Sequence, residues 1–183
     1  MNAQISIDRF HVAKLYRKGF DIVRKQELKR LKKELPEDKF RRDCKGALWL
    51  LRHNHASLNE EQIVQLQKLL AHSPKLHAGY TLRTELTAIF NMQLNRRQGE
   101  QRLQKWIDKV KASSVTCFNK VLKTLKKHLS LISNYFIRRA NSGFVEGFNN
   151  KLKVVKRRCY GIKKVDSLFQ RLWLDTVGYT KFA

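Results

Sequence analysis

The sequence predicts an α/β fold that is mostly helical and whose β-sheet is incomplete. Residues 4–8 alternate polar and apolar side chains as a short strand does, and residues 47–51 form a short apolar run that we interpret as a buried strand. Amphipathic helical patterns dominate the rest of the chain. Because about three strands are normally needed for a stable sheet, the sequence predicts a partial domain whose other strands lie elsewhere or come from another chain.

The composition indicates a nucleic-acid partner. The chain has 39 Lys and Arg residues against 15 Asp and Glu residues, and this net charge of +24 is self-repulsive unless a polyanion screens it. Hydrophobic residues make up 42% of the chain, which excludes a disordered basic tail. The sequence has no apolar run of membrane-spanning length and no signal-peptide pattern, so we expect a cytoplasmic protein. The three cysteines form no zinc or redox motif.

Three elements are predicted before residue 57. The strand over 4–8 ends at Asp8, where a side chain can point into a cleft. A basic helix follows, because apolar residues recur from Val12 at three- and four-residue steps, and Pro36 ends it. Periodicity does not decide the run at 47–51, but its shortness and the polar residues after it favour a strand.

From residue 57 onwards the pattern is helical. Ser57 and Glu60 have the spacing of a capping box, and Pro74 separates the first of these helices from the second. The sequence at 141–143 and Gly161 interrupt the later helices. The apolar residues predict six helices, over 63–70, 76–90, 103–110, 118–136, 144–155 and 165–173.

The positive charge is densest in the last third of the chain, around one acid. Residues 121–183 hold 14 Lys and Arg residues against three acids, and Glu146 is the only acid between Asp108 and Asp166. An ion pair within the helix does not explain Glu146, because Asn149 and Asn150 occupy the positions three and four residues on. An acid at a helix N-terminus, stabilised by the helix dipole, is an alternative that stays open.

Helical geometry gives this segment two different faces. One face carries the apolar residues Phe144, Phe148, Leu152 and Val155. The other face carries Glu146, Asn150, Lys153 and Arg157. A carboxylate beside cations is the arrangement that metal-dependent phosphoryl transfer requires, since the carboxylate holds a divalent ion and the cations hold the phosphate backbone.

A metal site needs further oxygen ligands. Asp8 is the best candidate, because it lies at the end of the predicted strand. The alternative for Asp8 is an ordinary helix N-cap, which is a common role for aspartate.

Two blocks of the sequence resemble the signature blocks of bacterial insertion-sequence DDE transposases of the ISL3 family. The first block is Ile7-Asp8-Arg9-Phe10-His11-Val12. The second runs from Asn141-Ser142-Gly143 through Glu146 to Leu152-Lys153 and is followed by Lys156-Arg157-Arg158-Cys159-Tyr160-Gly161. The stretches around Trp106 and over 48–51 are also similar, and the resemblance extends over essentially all 183 residues.

The resemblance implies an incomplete RNase H-like core with a large all-helical insertion. Residues 1–183 would be the C-terminal part of one catalytic domain, and residues 57–113 would be the insertion. Residues 141–183 would return to the core with the catalytic-Glu helix and a basic C-terminal region. Asp8 and Glu146 would be two of the three catalytic, metal-binding acids.

The resemblance also implies a cofactor and partners. Mg²⁺ or Mn²⁺ would occupy a two-metal site, expected only in the complete domain. The partner would be the double-stranded DNA of transposon ends, with a homo-oligomer in the intact family, in the bacterial cytoplasm at the nucleoid, and with no membrane or small-molecule substrate. His11, Asn149 and Asn150 would support the acids. The residues that would contact DNA are Lys151, Lys153, Lys156, Arg157 and Arg158.

The sequence departs from the family pattern in one respect. The first catalytic Asp and the N-terminal DNA-binding region of the family precede the position at which this sequence begins. We therefore interpret the chain as a truncated copy, inactive by itself, of a transposase that cleaves and transfers DNA strands. The alternative is a non-catalytic DNA-binding protein that titrates transposon ends or inhibits the full-length transposase.

Overall fold

The computed structural model describes residues 5–139 and 143–178, apart from the side chains of Phe144 and Val145. These residues form two compact units, one on each side of the boundary between residues 140 and 141. Each unit is described separately below. The domain boundaries predicted at 57–113 and 141–183 stay predictions.

The described residues are helical, joined by turns and short extended segments. None of these helices is both long and apolar enough to cross a lipid bilayer. A 3-10 turn, His55–Ser57, precedes α4, and a π-helical turn, Leu174–Gly178, follows α10. The α-helices are α1 Arg9–Glu34, α2 Glu37–Asp43, α3 Ala47–Leu50, α4 Glu60–Ala71, α5 Pro74–Asn91, α6 Arg96–Ala112, α7 Asn119–Ser133, α8 Tyr135–Arg138, α9 Gly143–Arg158 and α10 Val165–Trp173.

The prediction of a mostly helical chain is confirmed for the described residues, but neither predicted strand is present there. Of the strand predicted over 4–8, residue 4 lies outside the described residues, and residues 5–8 pair with no strand. This segment runs instead along the end of α7, where the Ile7 backbone N–H donates to the Leu131 carbonyl at 3.1 Å. Asn134 Nδ2 donates to the Ile5 carbonyl at 2.7 Å.

The apolar run at 47–51 is helix α3 and not a strand. Ala47, Leu50 and Leu51 are buried, whereas Leu48 and Trp49 are 43% and 44% exposed. Burial at steps of three and one is the pattern of one helical face, whereas the predicted buried strand would have had all five residues buried. The helix begins after Gly46, whose φ of 69° is in the left-handed region that favours glycine.

The core of the first unit is built around α1. This helix packs against α5 and α7, α5 packs against α6, and α6 packs against α7. The α1 residues in this core are Val12, Tyr16, Phe20, Val23 and Leu31, all less than 9% exposed. Their three-, four- and eight-residue steps confirm the amphipathic helix predicted from the sequence.

Helix boundaries differ from the predictions in two places. The predicted capping box at Ser57 is wrong: Asn59 caps α4 and forms the box with Gln62, while the Ser57 hydroxyl donates to the Asn54 carbonyl at 2.7 Å. The single long helix predicted over 118–136 is two helices, α7 and α8. Within α7 the backbone at His128 is non-helical, with φ −125° and ψ 24°.

The second unit contains α9, α10 and the π-helical turn. Helix α10 packs against both neighbours. Val155 of α9 and Leu172 of α10 are the buried apolar residues of these two helices, each 3% exposed. Two left-handed residues follow α9, Tyr160 with a φ of 49° and Gly161 with a φ of 77°. The Gly161 backbone N–H donates to the Lys156 carbonyl at 2.9 Å, so the helix is interrupted here as the sequence predicts.

Candidate nucleic-acid interface

Helix α9 separates its charges along its axis. Glu146 lies in the first turn, and Lys156, Arg157 and Arg158 lie in the last turn. The N-terminus of a helix carries partial positive charge and the C-terminus partial negative charge, so both placements are stabilising. The helix-dipole explanation for Glu146 therefore agrees with the structure, and it is compatible with a further role for the carboxylate.

The two faces of α9 are as the sequence predicts. Val155 is buried, and Phe148 and Leu152 are half-buried. The side chains predicted on the other face are exposed: Glu146, Asn150, Lys153 and Arg157. Asn149 is exposed as well. The side chain of Phe144, the fourth predicted apolar residue, lies outside the described residues.

The five predicted DNA-binding cations are not equivalent. Lys153, Lys156, Arg157 and Arg158 are exposed. Lys151 is half-buried, and its Nζ donates to the Asp175 carbonyl at 2.8 Å, which connects α9 to the π-helical turn. The structure thus assigns Lys151 a contact within the unit, and it leaves four cations directed to solvent.

Gly147 adjoins Glu146 on the exposed side of α9. Apart from its chain neighbours and the backbone of its own helix, a Cβ atom built on Gly147 would meet no atom of the described residues within 4 Å. Packing within the described chain therefore does not account for a glycine at this helical position.

Asp8 forms the N-cap of α1. Its Oδ1 accepts a hydrogen bond from the Phe10 backbone N–H at 2.9 Å, and the residue is half-buried. The N-cap alternative considered for Asp8 is therefore what the structure has. His11 is exposed, and its backbone N–H donates to the Asp8 carbonyl at 3.1 Å.

Two arginines bind the C-terminal end of α5, a structural role that the sequence did not predict. Arg9 Nη1 donates to Asn91 Oδ1 at 2.9 Å, and Arg139 Nη2 donates to the Asn91 carbonyl at 3.1 Å and also to the Met92 carbonyl. The C-terminal carbonyls of a helix attract cations, and α5 has no basic residue in its own last turn. No sequence signal identified this contact, because Arg9 and Arg139 are far apart in the chain.

The residues have the right chemistry for a divalent metal, but the described part of the chain does not assemble a complete site. Carboxylate oxygens are suitable ligands for Mg²⁺ and Mn²⁺. Asp8 lies in the first unit and Glu146 in the second. Within 5–139 and 143–178, no three His, Cys, Asp or Glu side chains are grouped as metal ligands. The two-carboxylate site therefore stays a prediction.

Comparison with known proteins identifies the family. A model of ISL3-type DDE transposases, described as "Transposase", matches residues 1–172. This match covers most of the chain and includes both Asp8 and Glu146. The chain belongs to the ISL3 family of DDE transposases.

Curated relatives from two organisms are similar to the chain. It is 33% identical over 171 residues to the "Transposase for insertion sequence element IS1001" of Bordetella parapertussis, a match over 93% of this chain and 41% of that protein. It is 25% identical over 138 residues to the "Transposase for insertion sequence element IS1557" of Mycobacterium tuberculosis, over 75% of this chain and 31% of that protein. The chain thus spans less than half the length of these relatives. No solved structure matches it.

Proposed function

We propose that this chain is the part of an insertion-sequence transposase that carries two of the catalytic carboxylates and binds the DNA of the transposon ends. Family membership supports this proposal, and the high positive charge supports a polyanionic partner. In the intact domain these helices would surround an RNase H-like core, with strands contributed by sequence outside the described residues. The active protein would be a homo-oligomer, as in the intact family.

One observation carries the proposal. The 16-residue helix α9 presents the Glu146 carboxylate in its first turn and four exposed cations along its length and last turn. Lysine and arginine side chains neutralise DNA phosphates, which is the sequence-independent part of DNA binding. A carboxylate gains nothing from that contact, so its place in this helix fits a role in the chemistry.

The carboxylates would act as metal ligands. When bound, Mg²⁺ or Mn²⁺ would lower the pKa of a water or a DNA 3′-hydroxyl and stabilise the leaving oxygen. Glu146 would supply oxygen ligands from α9. Asp8 would supply a ligand from the start of α1, where it forms the N-cap. Lys153, Arg157 and Arg158 would hold the DNA backbone.

The salt dependence of DNA binding tests the role of α9. We expect Lys153→Ala, Lys156→Ala, Arg157→Ala and Arg158→Ala together to weaken binding of a labelled duplex. The slope of log K against log salt should become shallower by about 0.9 for each phosphate that the protein no longer neutralises. The matched control removes four exposed lysines of the first unit: Lys29, Lys32, Lys33 and Lys68. Equal slopes for the two variants would contradict the proposal.

Metal binding and strand cleavage test the carboxylates. The sequence predicts two of the family's three catalytic acids, Asp8 and Glu146, so we expect this chain by itself to bind DNA and not to cleave it with Mg²⁺ or Mn²⁺. Mn²⁺ binding, followed by electron paramagnetic resonance, should weaken in Glu146→Gln and in Asp8→Asn, which retains the N-cap. Metal-dependent cleavage that Glu146→Ala abolishes would contradict the expected inactivity. Unchanged Mn²⁺ binding in both variants would favour the non-catalytic alternative.

A further inference from the structure

A pocket of about 420 Å³ in the first unit is lined mainly by cations. It lies between α1, α5 and the segment that follows α3. Phe20 and Leu51 form its apolar wall. Its charged lining consists of five cations and one carboxylate: Arg17, Lys18, Arg24, Arg52, Arg83 and Asp21. None of these residues belongs to α9 or to the signature blocks.

Arg83 is a buried charge with no acidic partner among the described residues. The residue is 5% exposed, and within the described chain its guanidinium donates to neutral acceptors, among them the His53 carbonyl at 3.2 Å and Asn54 Oδ1 at 3.1 Å. Its guanidinium carbon lies 5.4 Å from the centroid of the Tyr80 ring, and no acceptor in the described residues meets its Nε. Burying a charge without a counter-ion is costly, so an anion at this place would be stabilising.

The one carboxylate of the pocket is already paired. Asp21 Oδ1 lies 2.7 Å from Arg24 Nη2, and Asp21 Oδ2 lies 3.5 Å from Lys25 Nζ. Within the described residues, Arg17, Lys18 and Arg52 have no acidic partner, and all three are exposed. Asp21 therefore neutralises one side of the pocket and leaves Arg83 and the three exposed cations uncompensated.

We propose that this pocket binds a phosphate group. Arginine guanidinium groups suit phosphate because their planar fork of N–H donors matches two of its oxygens. A buried arginine behind exposed cations would combine a fixed donor with electrostatic attraction. The phosphate could belong to a nucleic-acid backbone or be free in solution, since the two share this chemistry. Binding of a DNA backbone phosphate rests on the proposed function, since the pocket would then be a second DNA contact, remote in sequence from α9. Binding of free phosphate does not.

Calorimetric titration of the full chain with inorganic phosphate, in a low-salt chloride buffer, tests the pocket. Arg17→Ala with Arg52→Ala should weaken phosphate binding by about tenfold or more, because a hydrogen bond to a charged group corresponds to at least that factor. Both side chains are exposed, so this variant should fold. Arg83→Ala is avoided because Arg83 is buried and its removal would destabilise the core. Lys29→Ala with Lys68→Ala removes the same charge from exposed positions outside the pocket and should leave phosphate binding unchanged.

A second measurement identifies the source of the phosphate. If the pocket binds the DNA backbone, Arg17→Ala with Arg52→Ala should also make the salt slope of duplex binding shallower, by about 0.9 for each phosphate no longer neutralised. If the slope stays that of the unmodified chain while phosphate binding is abolished, the ligand is free phosphate. Phosphate binding that is absent from the unmodified chain, or equally affected in the control, would overturn the proposal. If the variant with the four α9 substitutions still binds phosphate, the pocket is a site independent of α9, and its test is independent of the proposed function.

Discussion

The positions of individual side chains determine which cations are exposed and could meet a polyanion. Arg139 and Lys151 belong to the same basic stretch as Lys153. Arg139 donates to carbonyls at the end of α5, and Lys151 donates to the Asp175 carbonyl. Only Lys153 of these three is exposed. A count of charges from the sequence therefore overestimates the surface that can meet a phosphate backbone.

At the residue scale, Lys151→Met should affect stability more than DNA binding. We expect it to reduce the stability of the second unit by about 1 kcal/mol, because it removes the hydrogen bond between Nζ and the Asp175 carbonyl. Thermal unfolding and duplex titration measure the two effects. Lys153→Met, at an exposed position on the same helix, is the control and should weaken DNA binding more than it lowers stability. A Lys151 variant that keeps its stability but binds DNA as poorly as the Lys153 variant would contradict this assignment.

At the scale of elements, Ser73 joins the two longest helices of the first unit. Its Oγ accepts from the Leu76 backbone N–H at 3.1 Å as the N-cap of α5, and it donates to Glu27 Oε2 of α1 at 2.8 Å. Burial raises the pKa of the Glu27 carboxyl, but hydrogen bonds from Arg30 and Ser73 outweigh burial and lower the pKa below its usual value. The ionised form of Glu27 therefore stabilises this junction.

This coupling predicts a pH-dependent effect of Ser73→Ala. Because the pKa of Glu27 is lowered by folding, its contribution is present above the unfolded pKa, 4.5, and is lost as the pH falls through the folded pKa. We expect the decrease in unfolding free energy to be about 1–2 kcal/mol at neutral pH and smaller in acid. Denaturant unfolding at both pH values measures it. The control Asn59→Ala, which removes the N-cap of α4, should lower the unfolding free energy by a similar amount at both pH values. An effect of Ser73→Ala that does not change with pH would exclude the coupling between Ser73 and Glu27.

The sequence predicts most helices correctly because their apolar residues repeat over several turns. Over 76–90 and 103–110 the period is unambiguous, and α5 and α6 follow it. The run at 47–51 is too short for a period to emerge, so the strand prediction depended on its length and on the polar residues after it. Ser57 and Asn59 each begin a valid capping-box pattern, and only the tertiary structure selects Asn59.

At the scale of the whole molecule, the two units differ in how much apolar surface they bury. Helix α6 of the first unit buries Leu103, Trp106, Ile107 and Val110. In α10 of the second unit, Leu172 is the buried residue. Local stability follows the amount of buried apolar contact, so the described part of the second unit should open more readily.

Amide hydrogen exchange should therefore distinguish the two units. We expect the backbone amides of α10 to exchange faster than those of α6, by roughly an order of magnitude or more, because opening α10 exposes less apolar surface. Mass spectrometry of proteolytic fragments measures this in the full chain. Addition of duplex DNA should slow exchange in α9 if that helix binds it. Equal protection of α6 and α10 would show that the units unfold as one.

The sequence predicts a polyanionic partner from net charge, but it does not predict where cations meet in space. The α9 cluster is visible because its members are neighbours in the chain. The pocket around Arg83 is not visible, because its cations come from α1, from α5 and from Arg52 between them. The relation of Asp8 to Glu146 is likewise a property of the tertiary fold, which motif order alone does not specify.

The glycine at position 147 lowers the stability of α9 but keeps the surface beside Glu146 free of a side chain. A glycine within a helix is about 1 kcal/mol less favourable than an alanine, and the space beside this one would admit a methyl group. A protein shaped by folding stability alone would carry alanine here. If Glu146 acts on DNA as proposed, the bare backbone beside it would let a duplex approach closer than any side chain would permit. The same methyl group that strengthens the helix would hold that surface away from the carboxylate.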